Sequence, residues 1–268
     1  MRYRSYKDLL RDLFDEKILE KLPRSFDIVG DIALIKIPDE LMNYSRYVGE
    51  AIMKIHKNVR AVYARRSVSG VYRISEVIHI AGEKKTETIY SENGIRFYVD
   101  IEKMYVNPRL STERSRIVKY VSDNDLVLDL FAGYGAYSLN IAKEKYVFVV
   151  ASDLNIHAIE AMRRSLRLNK LRGLVEPIHS EAMYLGNILR GNTFDLVIAD
   201  NPTMIDLFID HIPKLVKRGG RVIMYILTSD IDNTRRILVE KKLIPEDCIV
   251  VREYSATKNI FRCILSVA

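Results

Sequence analysis

Cysteine occurs only twice in the 268 residues, at Cys248 and Cys263, too few and too far apart for a structural zinc site. No bound metal is expected. The two lie on apolar runs, "CIVVREY" and "NIFRCILSV", joined by a turn near Ala256 to Asn259, so a hairpin would set them nearly opposite. The default reading is two buried thiols; a disulfide, rare in most cytosols but used by hyperthermophile proteins, is the alternative. Long hydrophobic runs are also missing: none approaches the roughly 18 residues that cross a bilayer, and no charged-then-apolar leader precedes the first helix pattern. A cytoplasmic protein with no membrane partner is expected, and a monomer. There is no internal repeat or low-complexity segment.

Positive charge, by contrast, is in excess. Lys and Arg total 42 against 35 acidic residues, a net +7, gathered in "VRAVYARRSVSGVYR", "RLSTERSR" and "MRRSLRLNKLR". Such clusters suit a polyanionic partner, with a solvated surface rich in Lys, Arg and Glu as the alternative. A hydrophobic content of 48% is enough to fill a substantial core.

Two rhythms divide the chain. "SYKDLLRDLFDEKILEKLP" repeats apolar residues at helical spacing up to Pro23, and "FDIVGDIALIKIP" reads as a hairpin turning at Gly30-Asp31. A helix over "LMNYSRYVGEAIMKIHK" and strands over "VRAVYARR", "VYRISEVIHIAG" and "ETIYSENGIRFYVDIEKMYV" follow, the last with an Asn93-Gly94 turn. Residues 1–106 therefore read as a small α+β domain. From Asn107-Pro108 onward helices and strands alternate: a helix over "RLSTERSRIVKYV", strands at "LVLDLFAG", "YVFVVASD", "VEPIHSEA", "FDLVIADNP" and "RVIMYILT", and helices between them, "DLFIDHIPKLV" among these. Alternation implies parallel pairing, so residues 107–268 are expected to form an α/β, doubly wound Rossmann-like sheet with its ligand at the carboxyl ends of the strands.

The most informative turn is "DLFAGYGAYS", Asp129 to Ser138. Gly133 and Gly135 permit a tight turn and let a ligand approach the backbone, but the third glycine of a dinucleotide fingerprint is missing. Asp153 closes the next strand, where a carboxylate can accept both hydroxyls of a ribose. "HSEAM" then offers Glu181 and the Ala182 amide to an adenine edge, and "ADNPTM" places Asn201 and Pro202 at the fourth strand end. The plainer reading makes Asp129 and Asp153 helix caps and Asn-Pro an ordinary turn.

These residues in this order resemble the successive motifs of the class I methyltransferases that use S-adenosylmethionine. Over nearly the whole chain, "SFDIVGDIALIKIP", "SGVYRISEVIHIAGE", "YVNPRLSTER", "DLFAGYGAYSLNIAK", "ASDLNIHAIEAMRRSLRLNK" and "ADNPTMIDLFIDHIPKLVKRGG" are similar to the archaeal and eukaryotic tRNA (guanine(37)-N1)-methyltransferases. That family methylates N1 of the guanosine 3′ to the anticodon. Its separate N-terminal domain, which helps recognise the tRNA body, is not recognisable. At the fourth strand end the family typically has Asn-Leu-Pro, where this chain has Asn201-Pro202-Thr203.

The resemblance implies tRNA as partner and S-adenosylmethionine as cofactor, held by Asp129, Phe131, Gly133, Gly135, Asp153 and Leu154, with Glu181, Ala182, Asn201 and Pro202 completing the site. It implies that Arg73 donates to the guanine O6, that Glu113 accepts the N1 proton, and that Asn201 orients the base, helped by a carbonyl such as that of Pro202. Tyr134 or Tyr137 could offer a stacking face. Read from the residues alone, Arg73 is a strand-edge charge and Glu113 pairs with Arg116 three positions on. Rival functions are transfer of an aminocarboxypropyl group from the same cofactor in the wybutosine pathway, a noncatalytic RNA-binding module, and a small-molecule methyltransferase.

Overall fold

The computed structural model describes residues 5–70 and 74–267, and the chain divides into two compact units, Met1–Arg109 and Leu110–Ala268.

The first unit begins with two short helical pieces rather than the single helix expected up to Pro23. Ser5 and Asp8 form a capping box on a 3-10 turn, Tyr6–Leu10. Asp15 then takes an extended backbone conformation and accepts the Ile18 amide at 2.9 Å, restarting the chain as α1 (Glu16–Lys21). A carboxylate that caps its own downstream amides competes with continuation of the helix through it, which is why the run breaks there. Strands β1 (Asp27–Val29) and β2 (Ile32–Ile35) pair antiparallel around Gly30-Asp31. Helix α2 (Ser45–Ile55) buries Val48, Ala51 and Ile52 and returns the chain to β3 (Ala61–Ser69), which lies parallel to β2. With β4 (Ile74–Gly82) the sheet order is β1-β2-β3-β4, and Ala33, Ile35, Val62 and Ala64 meet α2 in one core. A separate hairpin, β5 (Glu87–Glu92) and β6 (Ile95–Asp100), turns at Asn93-Gly94, both with positive φ, as that dipeptide favours.

The second unit opens with α3 (Ser111–Ile117) and then alternates: β7 (Leu126–Asp129), α4 (Ala136–Glu144), β8 (Phe148–Asp153), α5 (Ile156–Arg167), β9 (Leu174–His179), α6 (Ala182–Ile188), β10 (Phe194–Ala199), α7 (Ile212–Leu215), β11 (Val216–Thr228), α8 (Ile231–Glu240), β12 (Leu243–Glu253) and β13 (Asn259–Val267). They form one seven-stranded sheet of order β12-β13-β11-β10-β7-β8-β9. Strands β7 to β11 pair in parallel with one another, while β13 runs antiparallel to both β11 and β12. Leu128, Val197, Ala199, Val222 and Met224 are wholly buried, consistent with central strands covered on both faces.

Two local expectations change. The helix anticipated over "DLFIDHIPKLV" shrinks to the four residues of α7 after a 3-10 turn, Ile205–Leu207. Pro213 has no amide hydrogen and is tolerated only in a first turn, so the helix has to start beside it. Helix α8, capped by Asp230 on the amides of Asp232 and Asn233, adds an element between β11 and β12 that apolar spacing does not announce. Among the described residues no helix is long and apolar enough to cross a membrane.

Cys248 and Cys263 are register partners across β12 and β13, and their sulfurs are bonded, so the default of two free thiols does not hold. Directly opposed residues of an antiparallel pair come close enough for this, here with a Cα separation of 4.1 Å. Closing a loop of this length in the unfolded chain is worth about 3 kcal/mol in the chain-entropy model. Reduction should therefore lower the thermal midpoint by about 6–12 °C. Melts with and without dithiothreitol test this, and C248S should no longer respond to reductant.

Candidate active site

The chain runs from β7 outward through β8 and β9, then returns to the other side of β7 with β10 and β11. That reversal opens a crevice at the carboxyl ends of β7 and β10, where open α/β sheets bind ligands. Asp129 ends β7 with 0% exposure. Its Oδ2 accepts from the Ser138 hydroxyl at 2.7 Å and the Phe131 amide also favours the charged carboxylate, while Oδ1, also buried, makes no hydrogen bond of regular geometry. Burial pushes the Asp129 carboxyl up to about 7, against the pull of the Ser138 bond and with further upward pressure from Asp200 and Asp153.

The turn after β7 is tied down by backbone bonds from Ala132 to Ser152 and from Gly135 to Ala132. Its two glycines have different reasons to be glycine. Gly135 (φ 87°) starts α4, and an added Cβ would lie 2.6 Å from Met162 Cγ and 2.7 Å from Leu139 Cδ1. Gly133 (φ 54°) would point its Cβ into open space with nothing within 4 Å. Gly135→Ala should therefore cost about 1–3 kcal/mol of stability from overpacking and left-handed strain. Gly133→Ala should cost the left-handed strain alone, about 1–2 kcal/mol, and in addition weaken cofactor affinity by about tenfold or more, equivalent to about 1.4 kcal/mol. Thermal melts beside cofactor titrations separate the two, and equal effects of both substitutions on both readouts would contradict the distinction.

Asp153, at the end of β8, accepts the Gly133 amide on Oδ2 at 2.7 Å and the Asn155 amide on Oδ1 at 2.8 Å. Burial raises its carboxyl, and those two amides oppose the shift. It is not a helix cap: α5 is capped by Asn155 on the His157 amide, and α4 begins at Gly135, so Asp129 is not a cap either. Leu154 offers its carbonyl to His179 Nε2 at 2.9 Å. Glu181 leads into α6 in an extended conformation, makes no side-chain cap bond, and is followed by buried Ala182. Phe131 packs against Phe208, with ring centroids 4.5 Å apart.

Asn201, 8% exposed, follows β10, and the Thr203 hydroxyl reaches its Oδ1 at 3.4 Å. The Pro202 carbonyl, offered above to a substrate base, already accepts the Leu227 amide at 3.2 Å, leaving one lone pair. Pro202 and Thr203 also line a cavity of ≈ 250 Å³ with Thr228 of β11 and Leu238 of α8.

Glu113 does not pair with Arg116. It sits on α3 with 5% exposure, and its Oε1 accepts two hydrogen bonds: one from Arg262 Nη1 of β13 at 2.8 Å and one from the Tyr225 hydroxyl of β11 at 3.0 Å. Its Oε2 is buried and has no partner. Arg262 in turn lies 3.8 Å from Asp247 Oδ2 and over the ring of Tyr120. Tyr225 stacks at a tilt on Tyr137, and burial holds both phenols well above their ordinary pKa, so they remain protonated. Tyr134 and Tyr137 are both buried. Arg73 lies outside the described residues. Arg262, Tyr225 and Ser138 were missed from sequence. The available signal was a polar group inside an otherwise apolar strand, most clearly the arginine in "NIFRCILSV". No metal-binding group of three or more His, Cys, Asp or Glu forms among the described residues.

A family profile described as the TRM5/TYW2 methyltransferase domain matches residues 88–251, and one described as the TYW2 N-terminal domain matches residues 6–86. The tRNA (guanine(37)-N(1))-methyltransferase Trm5b of Pyrococcus abyssi is 40% identical over 222 residues, covering 82% of this chain and 64% of that protein. Its namesake from Methanocaldococcus jannaschii is 37% identical over 252 residues, covering 93% and 71%. The tRNA 4-demethylwyosine(37)-methyltransferase Taw21 of Saccharolobus solfataricus is 30% identical over 246 residues, covering 88% and 89%. The solved complex of aTrm5 with tRNALeu superposes with a TM-score of 0.86 at 33% identity, covering 98% of this chain and 78% of that one. The chain belongs to the TRM5/TYW2 methyltransferase family.

Proposed function

We propose that the protein transfers methyl from S-adenosylmethionine to N1 of the guanosine 3′ to the tRNA anticodon, acting as a cytoplasmic monomer. The observation that carries this reading is Glu113: a buried carboxylate with one oxygen tied by two donors and the other unbonded. A neutral guanine N1 bears hydrogen and is a poor nucleophile, so a positioned base within reach is the residue such a transfer needs. The clusters of Lys and Arg supply the attraction to a polyanion.

The residues present fit the cofactor. Bound, it supplies an electrophilic methyl carbon on a sulfonium. Asp129 Oδ1, buried and without a hydrogen bond of regular geometry, suits an ammonium group, and the open space beyond Gly133 admits a ligand against the backbone. In this reading Asp153 accepts the ribose hydroxyls through the lone pairs left by the Gly133 and Asn155 amides, and Glu181 with the Ala182 amide takes an adenine edge. Asn201 orients the target base, which must first leave its stack at a cost of a few kcal/mol. Arg73, carried over from the family, donates to O6.

A tRNA transcript incubated with cofactor labelled in the methyl group, and separately in the carboxyl group, tests the group transferred. Methyl label should reach the RNA. Carboxyl label reaching it instead would mean aminocarboxypropyl transfer. A second reading has a specific support: the alignment with the Saccharolobus relative spans nearly all of both chains, and that relative's acceptor is 4-demethylwyosine. A tRNA carrying that nucleoside as competing acceptor distinguishes the two readings.

A further inference from the structure

Polar and charged groups from several elements gather around Glu113. Arg262 comes from β13 and Asp247 from β12, both acting through the guanidinium; Tyr225 comes from β11, Tyr137 from α4 and Tyr120 from the turn after α3. Arg114, next on α3, and Asp200, after β10, act on Tyr137, and Asp200 acts on Tyr225 as well. Arg262 is 3% exposed, and its partner lies 149 residues away, brought beside it only because β13 is inserted between β11 and β12.

The two donors converge on a single oxygen. A structural ion pair in a dry site gains most from a fork that engages both carboxylate oxygens. Here the guanidinium and the phenol both take Oε1, and the second oxygen stays buried and unengaged. We propose that Arg262 and Tyr225 are positioning residues for the proton transfer: they anchor Glu113 through Oε1, set the guanidinium's positive charge beside it, and leave Oε2 as the atom that takes the proton from the bound base. In that step the N1–H bond breaks, the proton passes to Oε2, and the electron pair stays on the ring nitrogen. The inference rests on the reading of Glu113 as the base.

The test measures single-turnover methyl transfer to tRNA over pH 5–9 with saturating cofactor, using wild type, R262M, R262K, Y225F and E113Q. In R262M the buried carboxylate loses its cation and costs more to ionise. Transfer at neutral pH should fall about 10- to 100-fold, and the acid limb of the profile should move up by about one pH unit or more, so that raising the pH restores rate. R262K, which keeps the charge and loses the planar donor, should return the acid limb toward wild type with part of the rate loss remaining. Y225F should move the limb in the same direction by less, and it decides the matter should R262M melt below the assay temperature. Cofactor affinity should be unchanged in all three. A uniform rate loss with the wild-type pH profile in both R262M and Y225F would show a structural pair only and overturn the proposal, while E113Q inactivity would leave the base reading standing. Full transfer by E113Q would overturn both.

Discussion

Glu113→Gln should lose methyl transfer to tRNA by about 10²- to 10⁴-fold, the usual contribution of a positioned general base. The amide keeps the shape of the side chain and can still accept from Arg262 and Tyr225 through its carbonyl oxygen, so α3 stays docked by the same two partners. What it lacks is an atom able to take a proton. Cofactor affinity should stay within about threefold of wild type, well under the tenfold that 1.4 kcal/mol represents, because Glu113 lies on α3 rather than among the strand-end residues Asp129, Asp153 and Glu181. Single-turnover rates beside a cofactor titration check this. A variant that transfers methyl at the wild-type rate would show that the guanine loses its proton to water or to another group. Loss of cofactor binding along with transfer would show that the substitution damaged the fold.

Asp129→Asn should weaken cofactor binding by about 10- to 100-fold, the range expected when a charge-assisted hydrogen bond in a buried site is lost. It should also remove a pH dependence. In the cofactor-free protein the Asp129 carboxyl, pushed up to about 7 chiefly by burial, is largely protonated below neutrality. A cationic ligand group at Oδ1 requires the ionised form, so binding expels a proton below that pH, and affinity should rise up to about tenfold per unit until it levels off above neutrality. The stability of the cofactor-free protein runs the other way. A carboxyl whose pKa is raised on folding contributes stability in full below its unfolded value, and that contribution fades as pH rises through about 7. Isothermal titration at several pH values, paired with melts of the free protein, reads both signs. An affinity that is flat in pH for wild type would remove Asp129 from the cofactor's charged end.

The parts legible in the sequence are those set by neighbours in the chain. Asn93-Gly94 specifies its hairpin because both residues accept left-handed backbone, and Asp129, Asp153 and Asn201 fall at strand ends because each follows a run of apolar residues, whereas Glu181 follows the more mixed "LVEPIHS". What was not legible depends on distant pairing. Nothing near Glu113 in sequence indicates that its partner is Arg262 rather than Arg116; the insertion of β13 beside β11 decides it. The Cys248–Cys263 bond is an intermediate case, since the hairpin was readable and the oxidation state was not. Helix breaks at Asp15 and Pro213 turned on capping and on a missing amide hydrogen, local effects that apolar spacing alone does not register.

The proposed acceptor is N1 of the guanosine beside the anticodon. The most direct measurement is nucleoside analysis of paired tRNA transcripts, identical except for G or A at that position, after incubation with methyl-labelled cofactor. Label is expected in 1-methylguanosine from the G transcript and none from the A transcript. Equal labelling of both, or labelled product other than 1-methylguanosine, would contradict it.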